Sequence, residues 1–301
     1  MKQTLLIAIM IIFFLSFYSI EQVESKSKSK MSRSKRSERS TRSKSNLKSK
    51  SKQNVFNKLA FNNEGYMALS DIGAYLDTVW ACTLDGRYFK YNPAGTTIQA
   101  AISGASVFTG NETCSRVATN KNGDLFVVTS KNNLNLLKRV TDNSFSWTQI
   151  SANVTDVATS PNSESYAITS DGHIYQIFGA NLSPRLFSTQ NFGPNCRLAV
   201  NYEQQPIVYV VDSNSTLWRV SLDKTTKIDI DLIPVDISVG ANYNLYIAST
   251  TGIYRKKTNV DKPIKLADGI ASQLTAGNKL WINGIDSFPY SALLETPAGG
   301  I

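Results

Sequence analysis

The one histidine of this 301-residue chain, His173, stands in the turn "SDGHIY". A single imidazole excludes a multi-histidine metal site, and any serine–histidine–aspartate relay would have to run through it. A lone polar residue in a turn is ordinary turn chemistry. The glycine patterns GxGxxG and GxxxxGK[ST], which cradle phosphates, are absent. Carboxylates can work without histidine, as an acid and a nucleophile flanking a glycosidic bond. Asp85, Asp171 and Asp212 are the candidates, each followed by Gly or Ser. Asp-Gly and Asp-Ser pairs are also what a tight hairpin requires. Their recurrence at equivalent turns argues for turn building over a unique catalytic pair. The expectation is a chain with no catalytic residue, cofactor or metal ligand, and a carboxylate hydrolase is the lesser alternative.

The remaining reactive side chains bear on compartment. Cysteines occur at Cys82, Cys114 and Cys196. Three thiols allow one internal bridge at most, and the sequence leaves the pairing open. Four Asn-x-Ser/Thr sequons, at Asn111, Asn153, Asn181 and Asn214, are candidate glycosylation sites. The N-terminus places Lys2 before an apolar run from Leu5 to about Ile20, then small residues Val23 and Ser25. That length is short for a membrane span and right for an export signal, cleaved after Ser25. The positive charge behind the run favours the opposite orientation, so an uncleaved anchor is the alternative. A secreted chain is expected.

Residues 25–52 carry 12 Lys/Arg against the single acid Glu38, with only Met31 and Leu47 apolar. Such a segment cannot bury enough surface to offset the entropy of ordering it, so 26–53 is expected to be disordered. From Asn54 onward 19 Lys/Arg face 20 Asp/Glu. The chain's +9 charge therefore belongs to the tail, and the body offers no basic surface for nucleic acid. The tail suits polyanions or anionic lipid. Its "RSKR" resembles a furin-type processing site, with cleavage after Arg36.

Beyond residue 54, short Val-, Ile-, Tyr- and Phe-rich runs alternate with Asn/Asp/Gly/Ser turns, which predicts an all-β body. Equivalent positions fall at Ile72, Val117, Val157, Leu198, Ile237 and Leu274, spaced 45, 40, 41, 39 and 37 residues. A period near 40 with about four strands is a propeller blade pattern. Five outer strands follow six repeats, the last repeat ends at "PYSALLETPAGGI", and "NVFNKLAF" precedes the first. The expectation is a six-bladed β-propeller over 54–301 whose final blade takes its outer strand from the N-terminus, which also hides a sheet edge. Trp80, Phe126, Tyr166, Tyr209, Tyr246 and Trp281 recur on second strands and should pack between blades.

The forms "DIGAYLDTVWACTLDGRYFKY" and "VDISVGANYNLYIASTTGIYR" resemble the tectonin repeat over roughly residues 60–290. Tryptophan holds the second-strand position only at Trp80 and Trp281. The resemblance implies a six-bladed propeller, and a secreted lectin for microbial surface glycans such as lipopolysaccharide. Turns between second and third strands share a face with the blade-to-blade connections, which places Asp85, Arg87, His173 and Asp212 together as weak ligand-binding candidates, with the sequon residue Asn214 on the same face. Asn111 and Asn153 fall on that face too, so glycans there would push binding toward blades 5 and 6 or the opposite face. The alternative function is a protein-interaction propeller without glycan specificity.

Overall fold

The computed structural model divides the chain into two units, Met1–Ser51 and Lys52–Ile301. It describes residues 57–58 and 69–293 apart from 85, 92–97, 104–111, 142–143, 161, 179–181, 203–204, 258–261 and 285–288. The signal segment, the basic tail with Arg36, and Asp85, Asn111 and Asn181 lie outside the described residues.

All described elements are strands, as the alternation predicts. After β1 (Asn57–Lys58), the first blade holds β2 (Leu69–Tyr75), β3 (Thr78–Thr83), β4 (Arg87–Tyr91) and β5 (Ile98–Ser103). The second holds β6 (Cys114–Thr119), β7 (Leu125–Thr129), β8 (Leu134–Thr141) and β9 (Ser144–Ser151). The third holds β10 (Val154–Thr159), β11 (Ser165–Thr169), β12 (Ile174–Phe178) and β13 (Ser183–Ser188). The fourth holds β14 (Arg197–Tyr202), β15 (Pro206–Val211), β16 (Leu217–Val220) and β17 (Thr225–Ile228). The fifth holds β18 (Pro234–Val239), β19 (Leu245–Ser249), β20 (Gly252–Lys256) and β21 (Ile264–Ala267). Three strands remain, β22 (Ala271–Ala276), β23 (Lys279–Gly284) and β24 (Pro289–Leu293).

Each four-strand set is an antiparallel meander, so the molecule is an all-β propeller. The repeat count predicts six equal blades, but consecutive strands build only five outright. The sixth sheet is composite, in the order β1-β24-β23-β22, and β1 contributes the two pairs Asn57↔Ser291 and Lys58↔Tyr290.

Apolar surface on both faces of a sheet must be covered, and here neighbouring sheets cover one another. The second-strand aromatics do this job. Trp80 packs with Val117 and Leu125 of the next sheet, and Phe126 with Val154 and Val157. Tyr166 packs with Leu198 and Val208, Tyr209 with Ile237 and Leu245, and Tyr246 with Leu274 and Leu280. Trp281 carries the series round to Leu69, Ile72 and Val79 of β2 and β3. All six rings are at most 4% exposed. Burying rings of that size is worth about 2–3 kcal/mol each.

The second-to-third strand turns and the blade connections do share a face. Ser130 N donates to Thr113 O, Ser170 N to Asn153 O, and Phe192 N to Gly172 O. The last contact needs Gly172, whose φ is +89° and whose Cβ would fall 2.4 Å from Gly193 N.

Candidate functional site

Six first strands, β2, β6, β10, β14, β18 and β22, pack side by side around a central cavity of about 60 Å³. In five of them the register with the second strand slips by one residue just before a polar side chain, at Asp71, Arg116, Asp156, Asp236 and Gln273. A β-bulge of this kind bends the strand and re-aims the residue that follows it. In β14 the register is regular and Arg197 holds the position. Read round the ring, the residues alternate Asp71, Arg116, Asp156, Arg197, Asp236, Gln273.

The carboxylates stitch blades together in pairs. Asp71 Oδ2 accepts from Val117 N at 2.7 Å, Asp156 Oδ2 from Leu198 N at 2.8 Å, and Asp236 Oδ2 from Leu274 N at 2.8 Å. Cations answer them: Arg116 Nη1 lies 3.6 Å from Asp71 Oδ1, and Arg197 Nε lies 3.9 Å from Asp236 Oδ1. The Asp71, Arg116 and Asp236 side chains are at most 8% exposed. Three acids thus face two guanidinium groups, because the sixth position is the neutral Gln273, which accepts from Asn283 Nδ2 at 2.9 Å.

Electrostatics follow from this count. Burial pushes the Asp71 carboxyl up to about 7, Arg116 opposes the rise, and the charges of Asp236 and Asp156 add to it. Burial likewise raises Asp236 against the pull of Arg116 and Arg197. For Arg116 burial acts against its charge, but Asp71, Asp236 and Asp156 outweigh it and raise its pKa. A group of three buried aspartates suggests metal binding or acid–base work at first sight. Here each has a backbone N–H as partner, and the cavity holds only a few water-sized molecules. Among the described residues no cluster of three His, Cys, Asp or Glu is arranged for a metal ion. The arrangement can hold a proton and lock blades; it has no room for an organic substrate.

The described binding candidates stand at turns of the first, third and fourth blades. Arg87 opens β4, with its guanidinium 5.5 Å from the Phe89 ring centre. His173 and Asp212 belong to the β11–β12 and β15–β16 turns. Asp212 is spent on its own turn: Oδ1 accepts from Asn214 N at 2.8 Å and Thr216 N at 2.9 Å, and Oδ2 from Trp218 Nε1 at 2.8 Å. His173 Nδ1 sits 3.2 Å from Asp171 Oδ2. The Thr169 hydroxyl also donates to Asp171 and holds its pKa below the ordinary value, with His173 adding to the effect.

Asp171 does join one other expected residue. It lines a depression of about 420 Å³ together with Asn153, Ser170, Tyr175, Ile177 and Pro184. Both Asn153 and Asn214 are exposed. Asn153 is thus part of the wall of that depression. Cys82 and Cys114 form a disulfide between β3 and β6. Cys196 is a buried free thiol, raised to about 11 by burial and by Asp212.

The sequence reading overlooked the central ring. Its signal is visible one residue before the aligned series Ile72, Val117, Val157, Leu198, Ile237 and Leu274, where Asp and Arg alternate. That pattern has period two in blades and is lost when each blade is compared with one consensus.

No protein-family model matches the chain, and no curated protein does. Among solved structures, a match described as the β-propeller domain of Cps50 (Swd1) from Myceliophteria thermophila has a TM-score of 0.50 at 7% identity. It covers 80% of this chain and 100% of that one. At that identity the likeness is one of fold, and this structure is one of 1514 solved chains that match.

Proposed function

We propose that this chain is a secreted, non-catalytic six-bladed propeller of tectonin type, closed by its N-terminal strand, that binds carbohydrate on microbial or host surfaces. The observation that carries the non-catalytic part is the fate of the reactive groups. The buried carboxylates bind backbone amides and arginines, Asp212 binds its own turn, and the free thiol is buried. Among the described residues, the exposed turns carry amides such as Asn153, Asn214 and Asn278. Several similar turns suit weak contacts to a repetitive ligand, multiplied by effective concentration. Export is supported by the Cys82–Cys114 bridge, since disulfides persist in oxidising compartments. Binding of the secreted protein to a glycan array and to intact bacteria, with competition by free sugars, tests the reading.

A protein-interaction propeller is the second reading. It is favoured by Leu84, Ile233 and Ile270, which are 60%, 59% and 47% exposed on the turns and connections of one face. Exposed apolar side chains gathered on one face mark docking surfaces. Pull-down by the wild-type chain that is lost on Leu84→Asp and Ile233→Asp, with an empty glycan array, would select it.

A further inference from the structure

Three turns between first and second strands share one design. In the second, third and fifth blades the first residue of the turn donates its N–H to the last residue's carbonyl: Asn120 to Asp124, Ser160 to Glu164, Gly240 to Asn244. The fourth residue donates back to the first, at 3.0, 2.8 and 2.9 Å for Gly123, Ser163 and Tyr243. That fourth residue is left-handed in each case, with φ of 78°, 68° and 59°. Two blades fill it with the small residues Gly123 and Ser163, of which the glycine carries no steric penalty there. The fifth blade places a tyrosine there, and its ring is not buried: Tyr243 is 48% exposed. Strain in a bulky, half-exposed residue points to a use outside the fold.

The surroundings hold the backbone of this turn. Asn201 Nδ2 donates to Tyr243 O at 3.3 Å, Asn242 Nδ2 to the Tyr246 hydroxyl at 2.8 Å, and Asn244 N to Asn242 Oδ1 at 3.3 Å. The turn is tied to its neighbours, since Ala241 N donates to Gly277 O at 3.2 Å and Asn278 N to Leu76 O at 2.9 Å. Gly277 is fitted so closely that a Cβ would lie 2.2 Å from Leu76 O. Leu76 repeats the anomaly, being left-handed with φ of 49° and 46% exposed. A strained aromatic, a strained leucine and the exposed Asn278 therefore lie on adjacent, mutually bonded turns.

We infer that Tyr243 is the stacking platform of a binding site for a neutral pyranose ring, on the face of first-to-second strand turns that also carries Asn278 and Leu76. The inference rests on the carbohydrate reading and assigns it a place: the face opposite the depression at Asn153. A tyrosine offers a flat apolar face with little side-chain entropy to lose. Pyranose C–H faces stack on such rings, and amides serve sugar hydroxyls as both donors and acceptors. A protein partner is disfavoured here because these side chains are far short of the roughly 800 Å² per partner that a stable interface buries.

The test uses the full secreted chain, a glycan array, and saturation-transfer NMR with the methyl glycosides of glucose, galactose and N-acetylglucosamine. Tyr243→Ala and Tyr243→Gly are expected to weaken sugar binding by about tenfold or more, the size of one lost ring contact. Tyr243→Trp should retain it. Tyr243→Gly should also melt higher than the wild type, which shows that lost binding is not lost folding. Unchanged binding in Tyr243→Ala overturns the site. If Asp171→Ala abolishes binding instead, the carbohydrate reading survives and this placement falls. If the wild type binds no sugar in either assay, both fall together.

Discussion

Asp71 keeps a proton that an exposed aspartate would have released, and this gives stability a pH dependence of definite sign. Its folded pKa is raised from 3.8 to about 7, so the native state binds the proton more tightly than the unfolded chain. The stabilisation is fully present below about pH 4 and is lost as pH rises through about 7. Denaturation series at pH 4–8 should show wild-type stability falling across this window relative to Asp71→Asn. Asn can still accept from Val117 N but does not titrate. Parallel curves for the two proteins would refute the assignment. Arg116 is the complementary case. Arg116→Leu leaves three buried carboxylates to share Arg197 and should cost about 3–5 kcal/mol. Adding Asp71→Asn to that variant should recover much of the loss, because one unpaired charge is removed with it. An Asp71→Asn effect of the same size in the wild-type and Arg116→Leu backgrounds would mean the two groups are uncoupled.

At the scale of elements, four bulged first strands turn an acid or a base toward the axis while the second strands turn an aromatic toward the next blade. One residue type thereby locks the ring's inner wall and another its interfaces. The disulfide adds a covalent tie between β3 and β6 across a separation of 32 residues. Replacing Cys82 and Cys114 together by Ala should cost about 3–4 kcal/mol by the loop-closure argument, read as a lower denaturation midpoint. A denaturation midpoint unchanged after the wild type is reduced in denaturant and refolded with reductant would show that the bridge contributes nothing in solution. β1 is the complementary non-covalent tie, since its pairs with β24 cover an edge that would otherwise be open. Deleting residues 26–63 should lower stability by several kcal/mol, on the order of a few ladder bonds with their apolar burial. Deleting only 26–52 should change the melting temperature little. Equal effects from the two truncations would remove the closure argument.

For the whole molecule, the charge split predicts two separable attachments. Expression in a eukaryotic cell should place the protein in the medium, with a gel shift after glycosidase treatment; retention in the cytosol or nucleus would overturn export. Heparin binding should depend on residues 26–52, fall steeply with salt, and weaken on their removal. Cleavage after Arg36 would take away six of the twelve basic residues of this segment and flatten that dependence. Sugar binding by the propeller should be indifferent to the tail. N-terminal sequencing decides the processing, since a mature chain beginning at Lys26 rather than Ser37 means that none occurs.

Fold class, blade period, and the packing role of Trp80 and its five counterparts were legible in the residues alone. They depend on local rules: alternation on a pleated strand, turn chemistry at Asp-Gly and Asn-rich stretches, and burial of large rings. The binding candidates were legible only as positions on a face. Asp212 and His173 occupy the expected turns, but their bonding partners depend on side-chain direction within a few ångströms, which no periodicity encodes. The Asp/Arg ring was decided by tertiary structure for a related reason. Asp71, Arg116 and Asp236 are separated by 45 and 120 residues in the chain. Only closure of the first strands around one axis brings them close enough, out of water, for one carboxyl to hold its proton. The pairing of Cys82 with Cys114, left open by an odd count of thiols, was settled in the same way, by the packing of β3 against β6.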